Sequence, residues 1–571
     1  MRIKKKLALI LAPTCWVPDC GNEAARRGTP SAVAAERPPT AQSANEAQEL
    51  RSIVESGRMA ELQWPNFSDY NTYVTKFYDQ GSYQLEWSHR GKPTAQALEV
   101  IGILGEAEEK GLDSKDYDGE RWAGRLKTLD SSASPSEDTL AKFDVALTVS
   151  LMRYISDVHL GKVDPKILHR DFDLERHKYD LAEFLRQRVV SSSDVRGALQ
   201  GVEPPYPGYQ RTLAALHKYL QMAKEEVPEP LPMVSVPIEA GQNYEELPQL
   251  VKRLDFLGDL PPDANIATDS FVYQGTVVEA VRRFQDRHGL EAAGKLGPQT
   301  ITELNRPMSD RLVQLRLTLE RWRWVPHNFE AAPIVVNIPE FLLRAYDLKG
   351  HPVLSMRVVV GRAMRTDTPV LQEDMKYVIF WPHWNVPQGI LRKEILPQLA
   401  KDPDYLKNND YEVVTFTGEL VTEDAVSAEV LRQLRVGKLM VRQKPGLKNA
   451  LGMIKFIFPN DENVYLHATP SVGLFAKSRR DFSHGCVRVE KPLELAEWVL
   501  RNNPGWTRAR IDEAFETQKE LQVNLVRAIP VLMVYGTAVV PEDGSVHFLE
   551  DIYGHDRQLE KLFTEAYESR K

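Results

Sequence analysis

Cysteine is nearly absent from this chain, with three in 571 residues. Two of them, Cys15 and Cys20, sit close to the start, so everything after residue 20 contains one thiol, Cys486. A lone thiol cannot close an internal disulfide, which excludes a disulfide-framed fold. Long apolar runs are missing too. The stretch from Leu7 to Val17 is too short to span a bilayer reliably, and no other segment is apolar enough. Positive charge is not in excess: the formal net charge is −8, which argues against a general nucleic-acid binder. No spaced set of His, Cys and Glu accompanies His383 in "WPHWNVP", so neither a metal nor another cofactor is expected. What remains is ordinary for a globular protein, 42% hydrophobic and 27% charged, with room for about three or four domains.

The chain opens "MRIKKKLALILAPTCW". Arg2, Lys4, Lys5 and Lys6 before a short apolar run read as an export signal over residues 1–21, cleaved or retained. Cys20 suggests a lipid anchor, but Asp19 before it is wrong for lipidation; a membrane tether at this end stays open. Residues 22–48, rich in Ala, Pro, Ser and Glu, read as a flexible tether. Over 49–240 the apolar residues recur at helical spacing, as in "EDTLAKFDVALTVSLMRYISDVHLG", and predict an all-helical scaffold. Over 245–305 a small helical unit is expected. Val277, Val278, Val281 and Phe284 form one helical face closed by Gly289, and Pro298 opens a further helix before Thr300, Ile301 and Leu304.

From about 308 to 556 the period changes. "PIVVNIPEFLLRAYD", "SMRVVVG", "MKYVIFWPHWNVP", "IKFIFPN", "NVYLHAT" and "VLMVYGTAVV" are rich in β-branched and aromatic residues and predict a mostly β domain. The whole is therefore a multidomain α+β protein. A polar, turn-rich insertion at about 395–445 reads as a lid or as a surface decoration, and residues 557–571 as a C-terminal tail. Trp381 and Trp384 could line a cleft or fill the core, and one of them is expected in the core.

Cys486 lies in "DFSHGCVRVEKP". If the segment is extended, His484, Cys486 and Arg488 share a face, with Ser483 and Gly485 between. Cationic neighbours favour a thiolate. Gly485 lets a substrate carbonyl approach, and the N–H groups around Gly485–Cys486 can hold a developing oxyanion. The nucleophile needs a base. His484 is roughly 7 Å away along a strand, long for a hydrogen bond, whereas His467 in "YLHATP" can stand about 5 Å away on a neighbouring strand. His467 is therefore the expected base. His484 would orient, polarise or contact substrate.

These residues carry a resemblance. "HATPSVGLFAKSRRDFSHGCVRV" is similar to the active-site motif of L,D-transpeptidase catalytic domains, matching at His467, Ser483, His484, Gly485, Cys486 and Arg488. "VGRAMRTDTPV", "WPHWNVPQGILRKEILP", "RQKPGLKNALGMIKFIFPN" and "DIYGHD" resemble the large Gram-negative members, and "AVRRFQDRHGL" with "LGPQTITELN" resembles a three-helix peptidoglycan-binding domain. The resemblance implies a periplasmic enzyme acting on peptidoglycan stem tetrapeptides as donor and acceptor. The Cys486 thiolate would attack the carbonyl of a diaminopimelate, release D-Ala, and pass the acyl group to another diaminopimelate amine in a 3→3 cross-link. Arg488 would hold a substrate carboxylate or form a structural ion pair. Carbapenems would acylate the same thiol, and a monomer is expected. Hydrolysis of the same thioester, transfer to another amine, and a non-catalytic cell-wall scaffold are the alternatives.

Overall fold

The computed structural model describes residues 41–132, 134–169, 179–225, 227–264, 266, 271–402 and 404–571. The expected export signal, Cys15, Cys20 and most of the tether lie outside the described residues. From Ala41 onward the expected tether is instead a helix, Ala41–Ser56. Among the described residues, no helix is long and apolar enough to cross a membrane.

The N-terminal part is helical. Its longest helix, Glu137–Leu160, starts where the Ser136 hydroxyl accepts from the Thr139 N–H, with Glu137 and Asp138 in the first turn, and stops at Gly161. It is buried nearly all round, from Leu140 to Val158, so it forms the axis on which the other helices pack. A separate small core follows. The helices Leu247–Phe256, Thr276–Arg287 and Pro298–Leu304 bury Val277, Val278, Val281, Phe284, Ile301 and Leu304 together. This unit is seated against the β part: Arg287 donates to the Val546 carbonyl (3.0 Å) and the His288 ring stacks on Phe548.

The β part is one nine-stranded sheet. Its strands are β1 (Ile334–Asn337), β2 (Leu342–Tyr346), β3 (Pro352–Gly361), β4 (Leu371–Phe380), β5 (Ile454–Ile457), β6 (Leu466–His467), β7 (Asp481–Ser483), β8 (Val487–Val489) and β9 (Leu521–Val534). The order is β7-β3-β8-β6-β5-β4-β9-β1-β2, and β2 also pairs with β3, so eight strands close on themselves and β7 is attached outside the ring. Alternate residues such as Ile454, Phe456, Leu466, Val487 and Val489 enter one core, which leaves the residues between them on the opposite face. That alternation places Lys455, His467 and Arg488 together.

Two expectations change here. The insertion is a folded unit that begins earlier than residue 395. Trp384–Asn385, Met440–Gln443, Tyr411–Val414 and Leu420–Thr422 form a four-stranded sheet of their own, and Val386, Leu391, Leu406, Val413 and Val441 form its core. Polar, turn-rich composition had hidden this, because the few apolar residues are spread thinly along the segment. Residues 557–571 are likewise folded rather than a tail. Helix His555–Glu565 continues to Tyr567, which is fully buried and donates to Asp157 (2.6 Å) in the N-terminal helical part. The two tryptophans separate cleanly. Trp381 is in the core and donates to the Phe515 carbonyl (2.9 Å), while Trp384 is only half-buried, at the foot of the insertion.

Candidate active site

Strand β6 pairs with β8 in parallel and with β5 antiparallel. In that register His467 stands directly opposite Arg488 on one side and Lys455 on the other. The three form a row across three strands, on the face away from the core. Two residues back from His467 and Arg488, Tyr465 faces Cys486, and its carbonyl accepts from the Val487 N–H (3.1 Å). The direct cross-strand neighbour of Cys486 is therefore Tyr465. His467 is the diagonal neighbour, roughly 7 Å away between Cα atoms. The distance argument that set His467 above His484 does not hold in this register.

The expected extended segment is also interrupted. β7 runs parallel to one edge of β3 and β8 antiparallel to the other, so the chain reverses across the end of β3 between Ser483 and Val487. Gly485 makes the reversal with φ +113°, a conformation L side chains rarely adopt. Side-chain exposure still alternates. His484 is exposed, Cys486 and Arg488 are half-buried, and Ser483, Gly485 and Val487 are buried.

Local hydrogen bonds hold this turn. The Ser483 hydroxyl donates to the Cys486 carbonyl (2.6 Å) and accepts from the Gly485 N–H (3.2 Å). Thr368 donates to the Gly485 carbonyl (2.7 Å), and Thr366 to the Ser483 carbonyl (2.9 Å). The Tyr553 hydroxyl donates to the carbonyl of Gly361 (2.6 Å), at the end of β3. Gly361 has no alternative: a Cβ there would lie 1.9 Å from the Thr366 carbonyl oxygen. Thr366, Thr368 and Tyr553 were not singled out from the sequence. The segments "VGRAMRTDTPV" and "DIYGHD" that contain them were its only signal.

The electrostatics also depart from expectation. Burial pushes the Cys486 thiol above its ordinary pKa, and hydrogen bonding from Tyr465 and the charges of Lys455 and Arg488 offset this only in part. The net direction is upward, against the downward shift that its cationic neighbours suggested. His467 is lowered to about 3, first by burial and then by Arg488. Its ring is therefore neutral, and Nδ1 lies 2.5 Å from the Ala468 carbonyl. A carbonyl oxygen can only accept, so Nδ1 carries the hydrogen, and bonding of the ring to the Ala468 and Leu451 backbone offsets burial in part. His484 is different: its Nε2 meets Glu394 Oε1 at 2.7 Å, on the inserted unit. His383 is held by Glu520 (2.6 Å), and among the described residues no three His, Cys, Asp or Glu side chains converge as metal ligands would.

Arg488 forms no ion pair among the described residues, and its buried Nε has no acceptor. Of the two amides expected to hold an oxyanion, Gly485 N–H is already given to Ser483. That leaves the Cys486 N–H. A thiol, a neutral imidazole, and two cations without carboxylates are a set that can remove a proton and hold negative charge.

Parts of the chain match known domains. The family model of the L,D-transpeptidase catalytic domain matches residues 332–521, that of a peptidoglycan binding domain 243–304, and that of a scaffold domain 72–216. A curated Haemophilus influenzae protein named "Putative L,D-transpeptidase" is 35% identical over 248 residues, 43% of this chain and 48% of that protein. The match thus spans about half the length of the curated relative. A crystal structure of an L,D-transpeptidase from Xylanimonas cellulosilytica is 16% identical and covers 54% of this chain and 100% of that one, with a TM-score of 0.15. That score is too low for the backbones to be said to coincide. The three domain matches nonetheless fall in the order read from the sequence: this chain carries a catalytic domain of the L,D-transpeptidase kind over residues 332–521, preceded at 243–304 by a peptidoglycan-binding domain.

Proposed function

We propose that this protein is a cysteine-dependent peptidoglycan L,D-transpeptidase of the periplasm that forms 3→3 cross-links. The observation that supports it most is the row Arg488–His467–Lys455 beside the half-buried Cys486, within the segment that matches the catalytic-domain model. His467 Nε2 takes the thiol proton as Sγ attacks the carbonyl of the third stem residue. The Cys486 N–H receives the developing oxyanion. The C–N bond to the terminal D-Ala breaks, the imidazolium returns its proton to the leaving amine, and a thioester remains. The side-chain amine of a second diaminopimelate then attacks, loses its proton to His467 and releases the thiol. Because His467 is so weakly basic beside two cations, it does not hold the proton between steps.

The inserted unit supports transfer over hydrolysis, since it reaches the catalytic turn through Glu394 and His484. A cover at this point would exclude water from the thioester. Incubation with disaccharide-tetrapeptide, followed by mass spectrometry, is the test. Cross-linked dimers are expected. Tripeptide alone would make the protein a carboxypeptidase, and unchanged substrate would leave the scaffold reading.

A further inference from the structure

We infer that Lys455 is a positioning residue for Cys486, its ammonium holding the negative charge of the sulfur after the thiol proton leaves. This rests on the reading of Cys486 as nucleophile. Lys455 stands on β5 between Ile454 and Phe456, both in the core, so the pleat turns it to the catalytic face directly opposite His467. It has no carboxylate at ion-pair distance among the described residues. Glu520, whose charge it feels, is taken up by the His383 ring and N–H at 2.6 and 2.8 Å.

Tyr465 joins the two groups. Its ring lies 5.4 Å from the Lys455 ammonium, and its backbone lies across from Cys486, its carbonyl accepting from the Val487 N–H. A half-buried cation without a carboxylate needs an anion to offset its lost hydration. The thiolate is the anion that the first step creates on this face. Burial lowers the Lys455 pKa, and Cys486 raises it, as expected if each stabilises the charge of the other. Arg488 performs the same service from the other side of His467, and its charge is felt at both Cys486 and His467. A lysine suits this place, because a sulfur needs a point charge rather than a planar fork.

The experiment uses the full chain without substrate. Carbamidomethylation of Cys486 by iodoacetamide is followed across pH by mass spectrometry of the peptide containing it. In Lys455→Met the rate should rise only at higher pH and should be about tenfold slower near neutrality, one pKa unit being a factor of ten in thiolate. Lys455→Arg should recover much of the loss. Glu520→Gln removes the competing charge from Lys455 and should move the profile to lower pH. A wild-type profile in Lys455→Met would overturn the proposal, even if that variant had lost turnover, since Lys455 would then serve substrate alone. Should Lys455→Met not fold, Lys455→Gln and the sign of the Glu520→Gln shift decide it: no shift, or a shift to higher pH, sinks it. Failure of the nucleophile reading is seen separately, as cross-linking that survives in Cys486→Ala.

Discussion

Cys486 is half-buried and burial pushes its thiol upward, and this sets the chemistry expected of single residues. Cys486→Ala should abolish cross-linking in the tetrapeptide assay without lowering thermal stability. His467→Ala should cost about two to four orders of magnitude in acylation, and His484→Ala much less, because His484 Nε2 is engaged by Glu394. The reverse order in stopped-flow acylation would make His484 the base. The pH dependence follows from the two shifts. A preformed thiolate–imidazolium pair would alkylate at a constant rate from acid pH upward. Here His467 stays neutral down to about 3 and the thiol titrates above its ordinary value, so alkylation should climb through the alkaline range. A plateau on the acid side of neutrality would contradict this. Carbapenem adducts should appear once per chain and on Cys486 by intact-protein mass spectrometry.

At the scale of elements, the contact between His484 and Glu394 is the one to perturb. Glu394 sits on a single π-helical turn, Leu391–Ile395, of the inserted unit. An exposed pair of this kind is worth only about 0–1 kcal/mol. Glu394→Ala should therefore leave the melting temperature almost unchanged while raising the proportion of tripeptide over dimer. An unaltered product ratio would mean that the contact does not govern water access. This element also shows what the sequence could and could not disclose. Helical periodicity revealed the face of Val277, Val278, Val281 and Phe284, because burial there depends on residues a turn apart. The clustering of Ser483, His484, Cys486 and Arg488 was legible because it is local. Register was not. Which residue faces Cys486 depends on two strands, β6 and β8, with β7 and a long connection between them in the chain, and period-two patterning is blind to a two-residue shift along a parallel pair. The reversal over β3 was equally hidden, since its partners Thr368 and Tyr553 lie far off in the chain.

Across the whole molecule, the peptidoglycan-binding domain is packed on the β part rather than hung from a linker. Arg287 binds Asp259 within its own unit (Oδ2 at 2.5 Å) and the Val546 carbonyl beyond it, and all are buried or nearly so. Leaving Asp259 buried without its cation costs about 3–5 kcal/mol. Arg287→Ala should lower the melting temperature clearly and weaken retention on sacculi, yet leave turnover of small soluble tetrapeptides closer to wild type. Equal losses on both substrates, in a variant that remains folded, would show that the docked unit shapes the catalytic part itself.

The inserted unit enters and leaves the large sheet at one point. Its first strand, Trp384–Asn385, pairs with its last, Met440–Gln443. Just outside, buried Asn449 donates to the carbonyls of Pro382 and Lys444 (3.0 and 2.9 Å) and so ties the two ends together. Such a junction can be cut and rejoined almost without strain, because the gap to be bridged is a single strand spacing, about 4.8 Å. The unit is thus a detachable cassette. A chain could gain, lose or exchange it in one recombination event while the ring of strands beneath kept its register.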